Sequence, residues 1–246
     1  YQNYSLAEYQ QIAYCKINSI QSKSIIPYLV GGTGQYVWAV LEGWQIPKVA
    51  PDWELRKILE AHVEKYGKYS LFKELIKIDA SAAKEINPNN TRRVIRALEI
   101  RMNSELSSEV LNHKQPPPYR MLVIGLTTDR QTLYNQVDLR IDKMLEKGFV
   151  DEVRSLLHKG FPRDTPAFKS VGYEEVINYL DGQINSFEMS KKIKTRTHKL
   201  IRHQYNWFKL GNQNIHWLDT KDDYISQAIR LVFSFPESEK IENGFY

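Results

Sequence analysis

Along most of the chain's 246 residues, apolar side chains recur every three or four positions, which is the spacing of an amphipathic helix. The first helix is predicted to run from Ser5 to about Ser22, with Glu8 and Ser5 forming a capping box. The same spacing predicts further helices over residues 36–41, 52–66, 70–76, 80–86, 88–101, 130–147, 150–158, 173–180, 187–210 and 222–233. The chain is therefore expected to be mainly helical.

Short apolar runs without the helical spacing predict buried strands at residues 25–30, 121–126 and 214–218. A helix followed by a buried strand is the repeating unit of a parallel α/β sheet. The first two strands are separated by a charge-rich helical stretch without a strand signal and by a proline-rich loop, predicted over residues 104–118. This order of elements predicts an α/β fold with an inserted all-helical subdomain.

The predicted core of this fold is a parallel sheet with its helices, built from residues 1–47 and 119–246. The predicted helical insertion covers residues 48–118, and the prolines at positions 47 and 51 mark its start. A chain of this length can hold one large domain with such an insertion.

The first predicted strand ends in a glycine-rich turn, Gly31-Gly32-Thr33-Gly34, before the next helix. A strand, a glycine-rich turn and a helix together place backbone N–H groups and a helix N-terminus against an anion. Thr33 adds a hydroxyl at the tip of the turn. No Gly-Lys-Ser/Thr follows, so the segment is not a Walker A loop. Alternatively, the glycines only make a tight turn and Thr33 caps the helix.

A first cluster of basic residues begins the helix predicted over residues 88–101. Three guanidiniums at one helix start, those of Arg92, Arg93 and Arg96, suit phosphate groups. The alternative is a solvated basic face in which Glu99 is the partner.

Arg140 stands beside the apolar stripe of its own helix. From that position it can reach a cleft, or it can pair with Asp138 or Asp142. The residues alone leave both alternatives open.

Residues 191–209 mix basic and aromatic side chains, and no acidic residue occurs between Lys191 and Leu210. Cations for phosphate and flat rings for unstacked bases are what a nucleic-acid surface needs. The alternative is an ordinary helix whose basic face is solvated. A Ser-x-Gly-Tyr turn beside Lys169 offers backbone donors, or simply a capped helix start.

The composition narrows the class of protein. The net charge of +5 favours a polyanionic partner. A single cysteine excludes an internal disulfide framework and a cysteine-based zinc site, and it suits the reducing cytoplasm. The six histidines have no metal-ligand spacing, and no apolar run is long enough to span a membrane.

Eight segments in order carry a resemblance to a known family: YSLAEY at residues 4–9, LVGGTGQY at 29–36, LEG at 41–43, PNNTRRVIRALE at 88–99, RIDKML at 140–145, GFVDEV at 148–153, VGY at 171–173 and QYNWF at 204–208. Together they resemble the tRNA dimethylallyltransferases, also called tRNA isopentenyltransferases.

The resemblance implies a P-loop kinase-like core whose helical insertion binds tRNA. It implies an enzyme that transfers a dimethylallyl group from dimethylallyl diphosphate to N6 of the adenosine 3′-adjacent to the anticodon, usually with Mg²⁺. The implied partners are the tRNA anticodon stem-loop and dimethylallyl diphosphate. The protein is expected to be a cytoplasmic monomer without a membrane partner.

Residue by residue, the resemblance implies that Thr33 contacts tRNA near the reacting amine and that Arg140 lies at the diphosphate end. Gly31 and Gly32 are expected to line the cofactor-binding site and leave clearance for a flipped base. No metal ligand is implied in this chain. The remaining tRNA contacts implied are Arg56, Arg92, Arg93, Arg96, Lys169, Tyr173, Arg202, His203, Gln204, Trp207 and Lys209.

The sequence also departs from the family pattern. The family's P-loop and general-base aspartate are expected upstream of Tyr1, so the core is expected to be incomplete at its N-terminus. Gln136, Lys169 and His203 stand where the family usually has arginine.

Two alternatives to a tRNA-modifying enzyme are an isopentenyltransferase acting on free adenine nucleotides and a catalytically incomplete tRNA-binding fragment. The insertion and the basic helix favour tRNA, because a mononucleotide needs neither.

Overall fold

A computed structural model describes residues 4–47, 49–103 and 119–235 of the chain. The chain divides into two compact units, Tyr1–Arg120 and Met121–Tyr246. The described residues form a mostly helical α/β protein with a small parallel sheet. Within them, no helix combines the length and the apolar character needed to cross a membrane.

The first unit is helical throughout its described elements. It contains α1 (Leu6–Gln21), α2 (Gly34–Leu41), α3 (Trp53–Tyr66), α4 (Lys68–Ile78), α5 (Ala80–Glu85) and α6 (Thr91–Asn103). The capping box at the start of α1 is confirmed: the Glu8 N–H donates to Ser5 Oγ at 3.2 Å, and the Ser5 N–H donates to the Glu8 carboxylate at 2.7 Å.

Polar side chains of α1 hold α2 in place. The Gln10 amide donates to the carbonyl oxygens of Ala39 at 2.6 Å and Trp44 at 2.9 Å. The Tyr14 hydroxyl donates to the carbonyl of Val40 at 3.0 Å. The last carbonyl groups of a helix have no N–H donor within the helix. These bonds from α1 supply donors to carbonyl groups at and just beyond the C-terminal end of α2.

Helices α3 to α6 enclose an apolar core of their own. Each contributes side chains from one face, as the helical spacing predicts. The buried members are Leu59, Leu71, Leu75, Ala83, Val94, Ile95 and Leu98. Fully burying a valine, leucine or isoleucine side chain stabilises a fold by roughly 1.5–3 kcal/mol. This core therefore stabilises the packing of the four helices. The domain boundaries at residues 48 and 118 stay a prediction, and the loop predicted over residues 104–118 lies outside the described residues.

The strand predicted over residues 25–30 is wrong for this structure. The segment is extended but forms no ladder, and its side chains are exposed: Tyr28 is 70% accessible and Val30 is 91% accessible. An extended segment becomes a strand only when a neighbour takes its N–H and C=O groups. No described strand pairs with this one.

The second unit contains β1 (Ile124–Thr127), α7 (Arg130–Glu146), α8 (Phe149–His158), a 3₁₀ turn (Pro166–Lys169), α9 (Tyr173–Leu180), α10 (Ser186–Trp207), β2 (His216–Asp219) and α11 (Tyr224–Ser234). Helices α7 to α10 and the 3₁₀ turn share a core. Its buried members are Ile141, Phe149, Val153, Phe168, Val176, Ile177, Met189 and Ile193.

The two strands pair in parallel, as predicted, with Gly125 opposite Trp217. A Cβ added at Gly125 would lie 2.6 Å from the Trp217 ring and 2.8 Å from Ile215 Cγ2. The glycine is therefore needed here for close approach of the indole, not for an unusual backbone angle.

Candidate functional site

Thr33 occupies the N-cap position of α2, but its hydroxyl makes no capping hydrogen bond. Its backbone carbonyl accepts from the N–H groups of Tyr36 at 2.9 Å and Val37 at 3.0 Å. The residue is exposed. Since the cap is made by the backbone alone, the hydroxyl remains accessible to a ligand.

Gly31, two residues earlier, lies in open space: a Cβ added there would meet no atom within 4 Å. Its φ angle lies outside the left-handed region. Neither packing nor backbone geometry therefore requires glycine at this position. Gly32 is exposed as well, so the turn leaves room for a bound group.

The carboxylate of Glu99 on α6 is fully buried and joins α6 to the start of α3. It accepts from Arg56 Nε and Nη2, both at 2.8 Å, and from the backbone N–H of Asp52 at 2.7 Å. Arg96 donates to the same carboxylate and also to the carbonyl of Val49 at 2.9 Å. Two of the arginines expected to contact tRNA therefore stabilise the fold of the first unit.

These contacts also shift the pKa of the carboxylate. Burial alone would raise the pKa of Glu99, but hydrogen bonds from Arg56, Arg96 and the Asp52 amide lower it to about 2. The bond to Glu99 in turn raises the pKa of Arg56. Glu99 is thus ionised at neutral pH and shared between two guanidiniums.

The other arginines of the α6 cluster, Arg92 and Arg93, are exposed. Within the described ranges no carboxylate pairs with either. The cluster therefore divides in two. Arg96 takes Glu99 as its partner, as the alternative interpretation proposed, while Arg92 and Arg93 stay accessible for phosphate.

Arg140 is exposed on α7, and both acidic neighbours that were its alternative partners pair with other residues. Asp138 Oδ1 lies within hydrogen-bond distance of His198 Nε2, at 2.8 Å, and Asp142 pairs with Lys194 at 2.7 Å. No described acid pairs with Arg140. Its guanidinium is consequently accessible for an anionic ligand.

Helix α10 has no acidic residue after Lys191, yet several of its cations are neutralised by other elements. Arg196 pairs with Glu174 and Glu175 of α9, each at 2.5 Å, and donates to the carbonyl of Lys169 at 3.2 Å. The exposed bases that remain on α10 and just beyond it are Lys191, Lys192, Lys199, Arg202, His203 and Lys209.

Arg202 is hydrogen-bonded to a pair of stacked rings, Tyr134 and His198, that was not among the predicted site residues. The Tyr134 ring lies parallel to the His198 ring with centroids 4.0 Å apart, and the Tyr134 hydroxyl accepts from Arg202 at 3.3 Å. Asp138, which lies on α7 with Tyr134, also bonds His198 of α10. The side chains of Tyr134 and Asp138 therefore both connect α7 to α10. The available signal was the spacing of Tyr134 and Asp138, which are four residues apart on one helix face.

The turn before α9 is held by Tyr173. Its hydroxyl donates to Glu152 at 2.5 Å, and this bond raises the pKa of Tyr173. Its ring packs against Phe149 and Phe168. Tyr173 therefore anchors the turn, whereas the side chain of neighbouring Lys169 is exposed.

Two further predicted contacts lie at the end of α10. Gln204 is exposed, and 40% of the surface of Trp207 is accessible. These residues lie in the second unit, whereas Thr33 and Arg92 lie in the first.

A metal ion held by side chains alone would need a set of ligand residues close together. The described residues contain no group of three or more His, Cys, Asp or Glu that is placed to hold a metal ion. Magnesium bound by one or two carboxylates and substrate phosphates needs no such cage.

The fold is similar to that of solved tRNA isopentenylpyrophosphate transferases. The full-length enzyme from Bacillus halodurans aligns with a TM-score of 0.62 at 35% identity, over 94% of this chain and 73% of that chain. A eukaryotic dimethylallyltransferase acting on tRNA aligns with a TM-score of 0.72, over 93% of this chain and 61% of that one. At 23% identity the second likeness shows the fold alone. The class of protein is therefore an α/β transferase.

Sequence comparison then gives the family. A tRNA dimethylallyltransferase of Dehalococcoides mccartyi is 44% identical over 234 residues, which are 95% of this chain and 72% of the relative. The model of the IPP transferase family matches residues 1–211. The chain belongs to the IPP transferase family, as its motifs indicated.

Proposed function

We propose that this chain transfers a dimethylallyl group from dimethylallyl diphosphate to N6 of the adenosine 3′-adjacent to the anticodon of tRNA. The observation that carries the proposal is the 44% identity, over 95% of the chain, to a tRNA dimethylallyltransferase. In this reaction a bond forms between N6 and C1 of the dimethylallyl group. The bond between C1 and the diphosphate oxygen breaks, diphosphate leaves with the electron pair, and N6 loses one proton.

Thr33 is assigned to the acceptor side of the reaction. Its hydroxyl is exposed and makes no capping bond, so it can hydrogen-bond the adenosine whose amine reacts. An exocyclic amine is a poor nucleophile, and orienting it is a large part of what the site must do. Gly31 and Gly32 leave clearance for the flipped base.

Arg140 is assigned to the donor side. A guanidinium without a carboxylate partner can form paired hydrogen bonds with the leaving diphosphate and stabilise its negative charge. The engagement of Asp138 by His198 and of Asp142 by Lys194 supports this assignment, because it leaves the charge of Arg140 for the substrate.

The proposed tRNA contacts outside the reacting centre are the exposed bases of each unit. In the first unit these are Arg92 and Arg93. In the second unit they are Lys169, Arg202, His203 and Lys209, with Gln204 and Trp207 beside them. Cations of this kind position RNA through its phosphates and make binding depend on salt.

The proposal extends to organisation and setting. Residues 1–47 and 119–246 form a P-loop kinase-like core, and the helical insertion at 48–118, whose helices share their own apolar core, binds tRNA. Magnesium is expected with the diphosphate. The protein is expected to act as a monomer in the cytoplasm, where its tRNA substrate occurs.

A transfer assay tests the proposal. The natural full-length protein is incubated with labelled dimethylallyl diphosphate and Mg²⁺, and either an anticodon stem-loop or AMP, ADP and ATP is the acceptor. Prenylation of the stem-loop at N6 supports the proposal. Preferential prenylation of a free nucleotide supports the nucleotide isopentenyltransferase instead. Stem-loop binding without transfer to any acceptor supports an incomplete tRNA-binding protein.

A further inference from the structure

An exposed tryptophan begins the helical block of the first unit. Trp53 is the first residue of α3, and 54% of its surface is accessible. The helix start is fixed, because the Asp52 side chain accepts from the Leu55 N–H at 3.0 Å. Tryptophan is usually well buried, so a large indole on a fixed helix start is a candidate contact for a partner.

One face of this indole is contacted by Arg56. The guanidinium lies over the ring, 5.0 Å from its centroid, which is within cation–π range. Arg56 itself is held by two hydrogen bonds to the buried Glu99, both at 2.8 Å. A chain of contacts therefore runs from the interior of the first unit to the tryptophan ring.

The charges around this ring are mixed, because the carboxylates of Asp52 and Glu54 flank Trp53 in the sequence while the Arg56 guanidinium lies over the ring. Glu99 is buried and shared by Arg56 and Arg96, so the three side chains together carry one net positive charge. Arg92 lies one helical turn before Arg96 on α6, and Arg92 and Arg93 are exposed. A flat aromatic ring in the same small helical block as accessible guanidiniums is the combination that binds unpaired nucleotides.

We propose that Trp53 is a stacking platform for an unpaired nucleobase of the anticodon loop, with Arg92 and Arg93 contacting nearby phosphates. This inference rests on the proposed tRNA substrate and adds a base-contacting residue to it. Arg56 acts on the RNA through Trp53: it presents the ring.

The test is the affinity of the natural full-length protein for a fluorescent anticodon stem-loop. Base stacking on an aromatic side chain gives an expected loss of about 5- to 150-fold for Trp53→Ala. Trp53→Phe keeps an aromatic ring and should bind within about threefold of wild type. The matched control is Tyr69→Ala on α4, which removes another exposed ring, 57% accessible and also near a cation, and should leave the affinity unchanged.

A second RNA separates stacking from general attraction. A fully paired duplex of equal charge offers no unpaired base, so Trp53→Ala should bind it as wild type does. Equal affinity of wild type and Trp53→Ala for the stem-loop would overturn the platform, as would an equal loss in Tyr69→Ala. If wild type neither binds nor prenylates the stem-loop, the proposed function itself fails. If it does both while Trp53→Ala is unchanged, only the platform fails.

Discussion

Replacing Glu99 with alanine is the sharpest test of which arginines serve the fold. The change leaves Arg56, Arg96 and the Asp52 amide without the buried carboxylate to which they all donate. Removing one partner of a buried ion pair costs about 3–5 kcal/mol. The arginine side chains are 25% and 33% exposed and can regain water, so we expect a loss near 3 kcal/mol, a large share of the 5–15 kcal/mol typical of a folded protein.

The same hydrogen bonds also make the stability depend on pH. The pKa of Glu99 is about 2 in the folded protein, against 4.5 for the free side chain. Because the folded pKa is the lower one, its stabilisation is fully present above about pH 4.5 and is lost as the pH falls toward 2. At roughly 1.4 kcal/mol per pKa unit, this shift corresponds to about 3 kcal/mol.

Urea denaturation followed by circular dichroism measures both effects. Wild type, Glu99→Ala and Glu99→Gln are compared at neutral pH and at intervals between pH 5 and pH 2.5. Arg92→Ala is the control, because it removes an exposed arginine from the same helix and should cost less than 0.5 kcal/mol. The reasoning is refuted if Glu99→Ala costs less than 1 kcal/mol. It is also refuted if the difference between wild type and Glu99→Gln stays constant down to pH 2.5.

Three further outcomes are expected. Replacing Arg92 and Arg93 together with glutamine should weaken stem-loop binding and lower the slope of log affinity against log salt by about 1–2, since a phosphate that no arginine neutralises keeps its counterions. Thr33→Ala should lower the transfer rate by about 10- to 100-fold, with the tRNA Kd within about threefold, because misplacing the acceptor affects the reaction more than binding. Gly125→Ala should destabilise the protein by about 1–3 kcal/mol in urea denaturation, because its Cβ would enter a packed indole ring.

Each of these has a result that contradicts it. An unaltered salt slope in the double arginine variant would favour the alternative interpretation, in which Arg92 and Arg93 form a solvated basic face of α6. Unchanged turnover in Thr33→Ala would remove that residue from the site. For Gly125 the matched control is Gly211→Ala, where an added Cβ meets nothing within 4 Å; equal stability of the two variants would contradict the close approach of the strands.

The helices could be predicted closely because their signals are local. The capping box of Ser5 and Glu8 marks the start of α1. Helix α9 spans Tyr173–Leu180, as its apolar spacing predicted. The segment at 25–30 failed for the opposite reason. Its apolar composition is that of a buried strand, but a strand also requires a hydrogen-bonding neighbour, and composition does not say whether one is present.

The predictions for the site residues show the same difference between local signals and long-range contacts. That Thr33 and Arg140 are exposed is compatible with their predicted roles, which rest on the family motifs. The spacing of Arg96 and Glu99 on α6 indicated that pair. The long-range partners were beyond prediction, because those contacts join distant parts of the chain: Arg56 and Glu99 are 43 residues apart, and Lys194 and Asp142 are 52 apart. An acid-free stretch such as α10 therefore looked more available to RNA than it is.

The consequence is that counting basic residues overestimates the RNA-binding surface. A guanidinium that shares a buried carboxylate is expected to release fewer counterions from a phosphate than an unpaired one, since part of its charge is already balanced. Replacing Arg96 should then weaken RNA binding mainly through loss of folded protein, whereas replacing Arg92 or Arg93 should weaken binding and leave stability intact. The salt slope measured on fully folded protein separates the two classes, because it reports the phosphate contacts that are made and not the cations that the sequence contains.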